Sequence, residues 1–107
     1  MSEALKIAGN EIPMRKISEF CARWKIKEFS LFGSVLRADF KPHSDIDVLV
    51  SFVENAGWSL MDLVIMQDEL KEIFGREVDL LEKEALRNPF RRHAILSSKE
   101  VIFEARG

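Results

Sequence analysis

The feature that most constrains the fold is the apolar run at residues 45–52, DIDVLVSF, because two aspartates, Asp45 and Asp47, open it. Its valine, isoleucine and phenylalanine content predicts a β-strand. Side chains alternate between the two faces of a strand. Every second residue from Ile46 to Phe52 therefore contributes to one continuous apolar face, whereas both aspartates lie on the other face. Two negative charges on one face of a buried strand need a physical explanation.

The remainder of the chain predicts alternating helices and strands. The expected order is a helix over 13–25, a strand over 27–33, a short helix over 34–40, the strand over 45–52, a helix from Ser59 to Gly75, a strand over 77–81, a helix from Asn88 to about Ser97 and a strand over 100–104. Residues 1–10 are expected to be a loose N-terminal segment. This order predicts one α/β (α+β) domain over residues 1–107, with a small mixed sheet of about four strands and helices packed on one face.

The composition limits the classes of function. The net charge of −2 argues against binding a nucleic-acid backbone through a basic face, so no direct DNA binding is expected. The single cysteine, Cys21, excludes an internal disulfide and Cys-rich zinc sites. The N-terminus lacks the apolar core of a signal peptide, and no apolar run has the length to span a bilayer. We therefore expect a soluble, cytoplasmic protein with no membrane partner.

A second strand repeats the pattern of acids. In EVDLL, residues 77–81, Val78 and Leu80 point to one face and Glu77 and Asp79 to the other. If Val78 and Leu80 join the same core, Asp79 lies on the face that carries the first two aspartates. Glu77 is the rival third carboxylate, but it begins the strand, where exposure to solvent is expected. Asp79 is therefore favoured, and three carboxylates from two neighbouring strands are predicted to converge.

Converging carboxylates predict a metal site. Like charges this close repel each other, and a divalent cation reverses the repulsion. Mg²⁺ prefers hard oxygen ligands and usually keeps water or substrate phosphates in its shell. Two such ions about 3.5–4 Å apart can hold both the attacking and the leaving oxygen of a displacement at phosphorus. Asp45, Asp47 and Asp79 are therefore the predicted metal ligands and catalytic acids, and Asp79 is the one free to orient or deprotonate an incoming hydroxyl.

A predicted phosphate-binding turn precedes the acids. Gly33 and Ser34 lie where a strand ends and a short helix begins. Glycine lets the backbone approach a ligand closely, and the N–H groups at a helix N-terminus bind anions. The Ser34 hydroxyl can add a hydrogen bond. No glycine of the chain is followed by lysine, so the turn is not a Walker A loop, and a dinucleotide fingerprint is absent as well.

The motif LFGS, followed by ten residues and then DID, resembles that of the nucleotidyltransferase superfamily of DNA polymerase β-like enzymes. The flanks LFGSVLR and SDIDVLV, together with the small size, look most like its minimal nucleotidyltransferases, the MNT antitoxins paired with HEPN toxins. The specific part covers about residues 29–81, and the ending NPFRRHAIL…VIF is similar too.

This resemblance implies the transfer of a nucleoside monophosphate from a triphosphate, expected to be ATP, to a hydroxyl, with release of pyrophosphate. It assigns Gly33 and Ser34 to triphosphate binding, and Asp45, Asp47 and Asp79 to Mg²⁺, with two ions expected. In the antitoxins the implied target is a tyrosine of the HEPN toxin, which is adenylylated and so silenced.

One position departs from the family pattern. Many relatives have Arg-Gly-Glu after the Gly-Ser turn, whereas this chain has Arg37-Ala38-Asp39. Arg37 is kept, so a contact of its guanidinium with a phosphate or a partner remains a hypothesis. Ala38 replaces a flexible glycine, which alters the expected loop geometry but does not touch the metal ligands.

Three functions compete for these residues. The first is a nucleotidyltransferase that modifies a partner toxin, and the second is an antitoxin that neutralises by contact, with dispensable catalytic residues. The third is a small-molecule, antibiotic-type nucleotidyltransferase, which is disfavoured because 107 residues leave no second domain for an acceptor pocket unless an oligomer supplies one. The bland alternative for the aspartates is an exposed strand edge whose charges prevent aggregation. Assembly with itself or with the toxin is left open.

Overall fold

The computed structural model describes residues 4–7, 10–33 and 45–105 of the chain. Its strands are β1 (Ala4–Ile7), β2 (Asn10–Pro13), β3 (Ile26–Phe32), β4 (Ile46–Phe52), β5 (Val78–Glu82) and β6 (Glu100–Glu104), and its α-helices are α1 (Met14–Arg23), α2 (Leu60–Phe74) and α3 (Pro89–Ser98). A short 3₁₀ turn, Lys83–Ala85, connects β5 to α3. The helix predicted over 34–40 lies outside the described residues.

A mixed four-stranded sheet organises the fold. Its strand order is β5-β4-β3-β6. β3 runs antiparallel to both β4 and β6, whereas β4 and β5 run parallel to each other. A parallel pair needs a long crossover connection, and α2 provides it here. The predicted fold class, a small mixed sheet with packed helices, is confirmed, but the helices pack on both faces of the sheet rather than on one.

The first described residues form a hairpin, which corrects the expectation of a loose segment over 1–10. β1 and β2 pair in antiparallel fashion, with Leu5 opposite Ile12. The side chain of Ile12 is fully buried among the helices and the central strands. Because Ile12 anchors β2 to the core, the β2 backbone is held in place for β1 to pair with. The burial of Ile12 is a tertiary contact, and no local pattern in the sequence predicts it.

The main core lies between one face of the sheet and the helices α1 and α2. The predicted apolar face of β4 is confirmed, since Ile46, Val48 and Val50 are all buried there. The rings of Phe20 and Phe29 meet edge to face, with centroids 6.3 Å apart. The other buried members are Ile17 and Cys21 from α1, Met66 and Leu70 from α2, and Leu31, Val78 and Ile102 from the sheet.

A smaller cluster lies on the opposite face of the sheet, where α3 packs. Phe32 and Leu49 are buried there together with Leu86 and Ile95. Because side chains alternate along β4, Asp47 lies on the same face as Leu49. The face that carries the acids is therefore partly covered by an apolar cluster and is not wholly exposed to solvent.

Helix α2 begins and ends at the predicted residues. The Ser59 hydroxyl accepts a hydrogen bond from the Asp62 N–H at 3.3 Å, and the Asp62 carboxylate accepts one from the Ser59 N–H at 2.9 Å. Gly75, with φ of 71°, ends the helix in the left-handed conformation. Among the described residues no helix is long and apolar enough to cross a membrane.

A partly buried ion pair ties β3 to the residue that follows α3. The Lys99 ammonium contacts the Glu28 carboxylate, and the two side chains are only 14% and 16% exposed. Burial alone would raise the pKa of Glu28, but the hydrogen bond and charge of Lys99, together with the charge of Lys83, outweigh it and lower that pKa. The pair therefore stabilises the fold at neutral pH.

The substitution Lys99→Met tests this pair. Since the pKa of Glu28 is lower in the folded chain than in the unfolded chain, its contribution to stability is complete above the ordinary glutamate value of 4.5 and is lost as the pH falls through the lowered pKa. We expect Lys99→Met to lower the free energy of unfolding at pH 7 by about 1–3 kcal/mol and to remove this acid-dependent loss. Urea denaturation over a pH series measures both effects.

The matched control is Lys71→Met, which removes a more exposed pair between Lys71 and Glu77, with 3.5 Å between the charged atoms. Exposed pairs contribute little, so the expected loss is below about 1 kcal/mol. Equal losses in the two variants would contradict a special role for the Glu28 pair.

Candidate active site

The strand register sets two of the predicted acids side by side. Asp47 on β4 is the partner of Asp79 on β5, and on its other side it is the partner of Phe32, the last residue of β3. Register partners on neighbouring strands point to the same face of a sheet. The two carboxyl groups therefore share one face and lie near the start of their parallel strands, as the alternation of the sequence predicts.

Asp45 lies immediately before β4 and is exposed. The predicted strand thus begins one residue later than expected, and strand alternation no longer fixes the direction of this side chain. The N–H of the next residue, Ile46, donates to the carbonyl of Glu77 at 2.9 Å. This bond ties the backbone around the first two acids to the start of β5.

Gly33 directly follows β3 and lies against the Asp47 carboxylate. Its φ of 72° lies in the left-handed region, which favours glycine. A Cβ atom at this position would lie 2.3 Å from Asp47 Oδ2 and 3.2 Å from Asp47 Cγ. The Asp47 carboxylate therefore occupies the space over the Gly33 Cα. The backbone conformation favours glycine here, and the Asp47 carboxylate would have to move if a side chain were added.

The other predicted ligand-binding residues, Ser34 and Arg37, lie outside the described residues, as does the Ala38 departure from the family pattern. Their contacts with a triphosphate stay predictions. Gly33 is the one member of that predicted group whose surroundings the structure describes.

Glu77, the rival third carboxylate, is engaged elsewhere. It precedes β5, and its carboxylate lies 3.5 Å from the ammonium of Lys71 on α2. Asp79, by contrast, is the acid that the sheet aligns with Asp47. The geometry therefore supports the choice of Asp79 over Glu77.

The three predicted carboxylates do not form a complete set of metal ligands in this structure. Within the described ranges, no three acidic, histidine or cysteine side chains lie close enough together to hold a metal ion. Asp47 is half-buried, whereas Asp45 and Asp79 are exposed. Like charges repel each other, and this repulsion favours separated positions of the side chains. The site consists of one aligned pair with a third acid beside it.

Arg92 on α3 supports the strand that carries Asp79, a role that the sequence does not reveal. Its guanidinium donates to the carbonyl of Lys83 at 2.9 Å and to that of Leu86 at 3.3 Å. These carbonyls belong to the 3₁₀ turn that follows β5 and to the residue after it. Arg92 therefore fixes α3 against the end of β5, and a carbonyl partner of this kind has no signature in a single sequence.

The chain belongs to the family of nucleotidyltransferase domains, whose model matches residues 14–102. A protein of Methanocaldococcus jannaschii, provisionally named a protein adenylyltransferase, is 49% identical over 72 residues, which are 67% of this chain and 74% of that relative. The protein adenylyltransferase MntA of Thermococcus cleftensis is 31% identical over 85 residues, 79% of this chain and 81% of that relative. The family resemblance seen in the sequence is confirmed.

Solved structures share the fold. A provisionally named minimal nucleotidyltransferase has a TM-score of 0.68 at 30% identity and covers 81% of this chain and 86% of its own. A toxin–antitoxin with AMP-PNP has a TM-score of 0.72 at 16% identity, with coverage of 89% and 76%. A tri-AMPylated Shewanella oneidensis HEPN toxin in complex with MNT antitoxin has a TM-score of 0.62 at 16% identity, with coverage of 86% and 70%. At such identities the last two establish the fold alone.

The substitution Gly33→Ala tests the contact with Asp47, and Gly75→Ala is its matched control. Both glycines are left-handed, with φ of 72° and 71°, but nothing lies within 4 Å of a Cβ added at Gly75. An alanine in this conformation costs about 1–2 kcal/mol. At Gly33 the clash falls on the movable end of a side chain. We therefore expect similar losses of stability in denaturant titrations, with the Asp47 carboxylate rotated away only in Gly33→Ala.

A crystal structure of the Gly33→Ala variant provides the decisive measurement. An unmoved Asp47 carboxylate beside the added methyl group would show that the backbone opens instead. The close approach of Gly33 would then not determine the position of the Asp47 carboxylate.

Proposed function

We propose that this protein transfers AMP from ATP to a hydroxyl group of a partner protein, and that it acts as an antitoxin by modifying a tyrosine of a HEPN-type toxin. The observation that carries the proposal is the register alignment of Asp47 with Asp79 in a chain of the nucleotidyltransferase family. Gly33 lies directly against the Asp47 carboxylate of this pair. The relatives named for protein adenylylation support a protein acceptor. The AMPylated HEPN toxin bound to an MNT antitoxin supports the class of partner.

The proposed metal ligands are Asp45, Asp47 and Asp79, which would hold Mg²⁺, two ions in this proposal. The donor set fits this metal because it consists of carboxylate oxygens, the hard ligands that Mg²⁺ prefers. Asp45 and Asp79 are exposed, so an ion from solvent could reach both carboxylates. Bound Mg²⁺ supplies positive charge that offsets the carboxylates and the triphosphate.

The residues of the chain have distinct proposed roles in the transfer. Gly33, through its backbone, and Ser34 and Arg37 are proposed to contact the phosphates of the triphosphate, while the missing Gly33 side chain leaves space for the Asp47 carboxylate. Asp79 orients the acceptor hydroxyl and takes its proton. The acceptor oxygen then bonds to the α-phosphorus, and the bond from that phosphorus to its β-bridging oxygen breaks. The bonding electrons leave with pyrophosphate.

The open shape of the site gives the partner a role in catalysis. Two of the three acids are exposed, at the edge where β4 and β5 begin. An acceptor must be held in line with the α-phosphorus, and such positioning supplies a large part of the rate. In this proposal the toxin itself positions its tyrosine against the exposed acids.

The central experiment combines the purified protein and Mg²⁺ with a purified HEPN-type toxin and ATP labelled at either the α- or the γ-phosphorus. We expect the toxin to be labelled from the α position only. Asp47→Asn and Asp79→Asn should each reduce the rate by about 10²-fold or more. Glu77→Gln is the matched control, since that carboxylate pairs with Lys71, and it should retain the activity.

The same variants separate the competing functions. Growth rescue by Asp47→Asn in cells that express the toxin would replace the proposal with a contact-only antitoxin. Labelling of small hydroxylated acceptors in place of the toxin would replace it with a small-molecule transferase. Equal losses in Glu77→Gln and Asp79→Asn would contradict the assignment of the third acid.

Metal binding has an effect on stability that does not require an acceptor. Like charges on register partners destabilise a sheet, so Asp79→Asn should raise the melting temperature in the absence of divalent ions. Mg²⁺ should raise that of the unaltered protein, and more so with a non-hydrolysable ATP analogue, because ligands that bind the folded state stabilise it. Differential scanning fluorimetry measures these shifts. A Mg²⁺ shift of equal size in Asp79→Asn would count against this ligand set.

A further inference from the structure

A cavity of about 360 Å³ opens at the end of the sheet remote from the aspartates. Its walls include Phe52, the last residue of β4, and Trp58 and Leu63 at the start of α2. Phe52 lies five residue steps along the extended strand from Asp47, a distance of about 17 Å. The cavity is therefore separate from the proposed nucleotide site and needs its own explanation.

The cavity carries an excess of negative charge. Three carboxylates line it, those of Glu54, Glu82 and Glu84, against the single lining ammonium of Lys27, so the lining has a net charge of −2, which the Lys25 ammonium at the Trp58 ring reduces to −1. Burial raises the pKa of Glu82, and the charge of Glu84 raises it further. The Ser51 hydroxyl donates to Glu84 at 2.7 Å and holds that carboxylate in place. A cation that enters the cavity would stabilise the ionised form of Glu82.

Trp58 supplies an aromatic wall of the same cavity. The Trp58 indole N–H donates to the carbonyl of Trp24 at 2.6 Å, and the two rings meet with centroids 5.0 Å apart. Trp58 is therefore held rigidly. The Lys25 ammonium lies 5.7 Å from the centroid of the Trp58 ring, so this indole already attracts one cation.

Apolar side chains continue outward from the cavity along the first turns of α2. Leu60 and Met61 are 79% and 68% exposed, and Val64 and Ile65 are about half exposed. We call these four residues the α2 apolar face. Residues three apart on a helix are neighbours, so Leu60 adjoins Leu63, which lines the cavity. A cavity for a cation and an apolar surface thus form one continuous feature.

We propose that the cavity and the α2 apolar face together form a docking surface for a segment of a partner protein that carries a lysine or arginine beside apolar residues. The cationic side chain enters between Trp58 and Glu82, and its apolar neighbours cover Leu60 and Met61. A basic amphipathic helix has this pattern of residues. The docking surface does not depend on the proposed transfer reaction.

The test uses two fluorescein-labelled amphipathic peptides with leucines on one face and either lysines or glutamates on the other. Fluorescence anisotropy should show that the lysine peptide binds at least about tenfold more tightly than the glutamate peptide, a difference of about 1.4 kcal/mol. The double substitution Glu82→Gln with Glu84→Gln should weaken the lysine peptide about tenfold. Leu60→Ser with Met61→Ser should weaken it similarly, and both side chains are exposed enough that the fold is retained.

The matched control removes the same charge from a different groove. Glu19 and Glu72 line a depression between α1 and α2 that also contains Lys16 and Arg23. Glu19→Gln with Glu72→Gln should leave the dissociation constant within about twofold, with thermal melts showing that each variant is folded.

Equal weakening by this control would overturn the proposal, because general attraction to an acidic protein would then explain the binding. Unchanged affinity in the Leu60 and Met61 variant, or no binding of either peptide, would overturn it as well. The measurement contains no nucleotide and alters no active-site aspartate, so its failure is distinct from failure of the transfer reaction.

Discussion

The parallel pairing of β4 with β5 is the contact on which the rest of the structure depends. One register sets Ile46 beside Val78 in the main core and Asp47 beside Asp79 on the opposite face. A slip by one residue would turn the acids into the core and the apolar side chains out of it. The same interaction therefore specifies both the fold and the site, and the burial of Val78 holds Asp79 in position.

The acid pair is costly to the sheet and is stabilised from several sides. Two neighbouring carboxylates repel each other, and the absence of a Gly33 side chain gives the Asp47 carboxylate its space. On the same face of the sheet, Phe32 and Leu49 pack with α3 and hold the strands together. Arg92 adds a polar tie between α3 and the end of β5. A charged ligand of the kind proposed for this site would offset the repulsion between these acids.

Much of this arrangement follows from local patterns in the sequence. Alternation along 45–52 and 77–81 predicts which residues enter the core and which acids share a face, because the period of a strand is two. The Ser59 cap and Gly75 predict α2, because both act within one turn of the helix. The shared face of Asp47 and Asp79 was therefore predictable on the assumption that both strands join one core, whereas the register that sets the two acids side by side was not. The features that could not be predicted depend on contacts between residues distant in the sequence. The β1–β2 hairpin depends on the burial of Ile12 against helices and strands that follow later in the chain. The clash that excludes a side chain at Gly33 exists only once β3 and β4 pair.

Helix α2 connects the end of β4 to the start of β5 and so runs between the two ends of the sheet. It begins beside the cavity at the end of β4 and runs back to the start of β5, where the acids lie. Its fifteen residues span about 22 Å at about 1.5 Å per residue. Because α2 packs on the main-core face of the sheet and Asp79 lies on the other face, a partner that used both surfaces would have to extend around an edge of the sheet. Holding an acceptor near a site raises its effective concentration there without any new contact at the site itself. A small domain with exposed acids gains most from such an arrangement, because its own surface does little to position the acceptor.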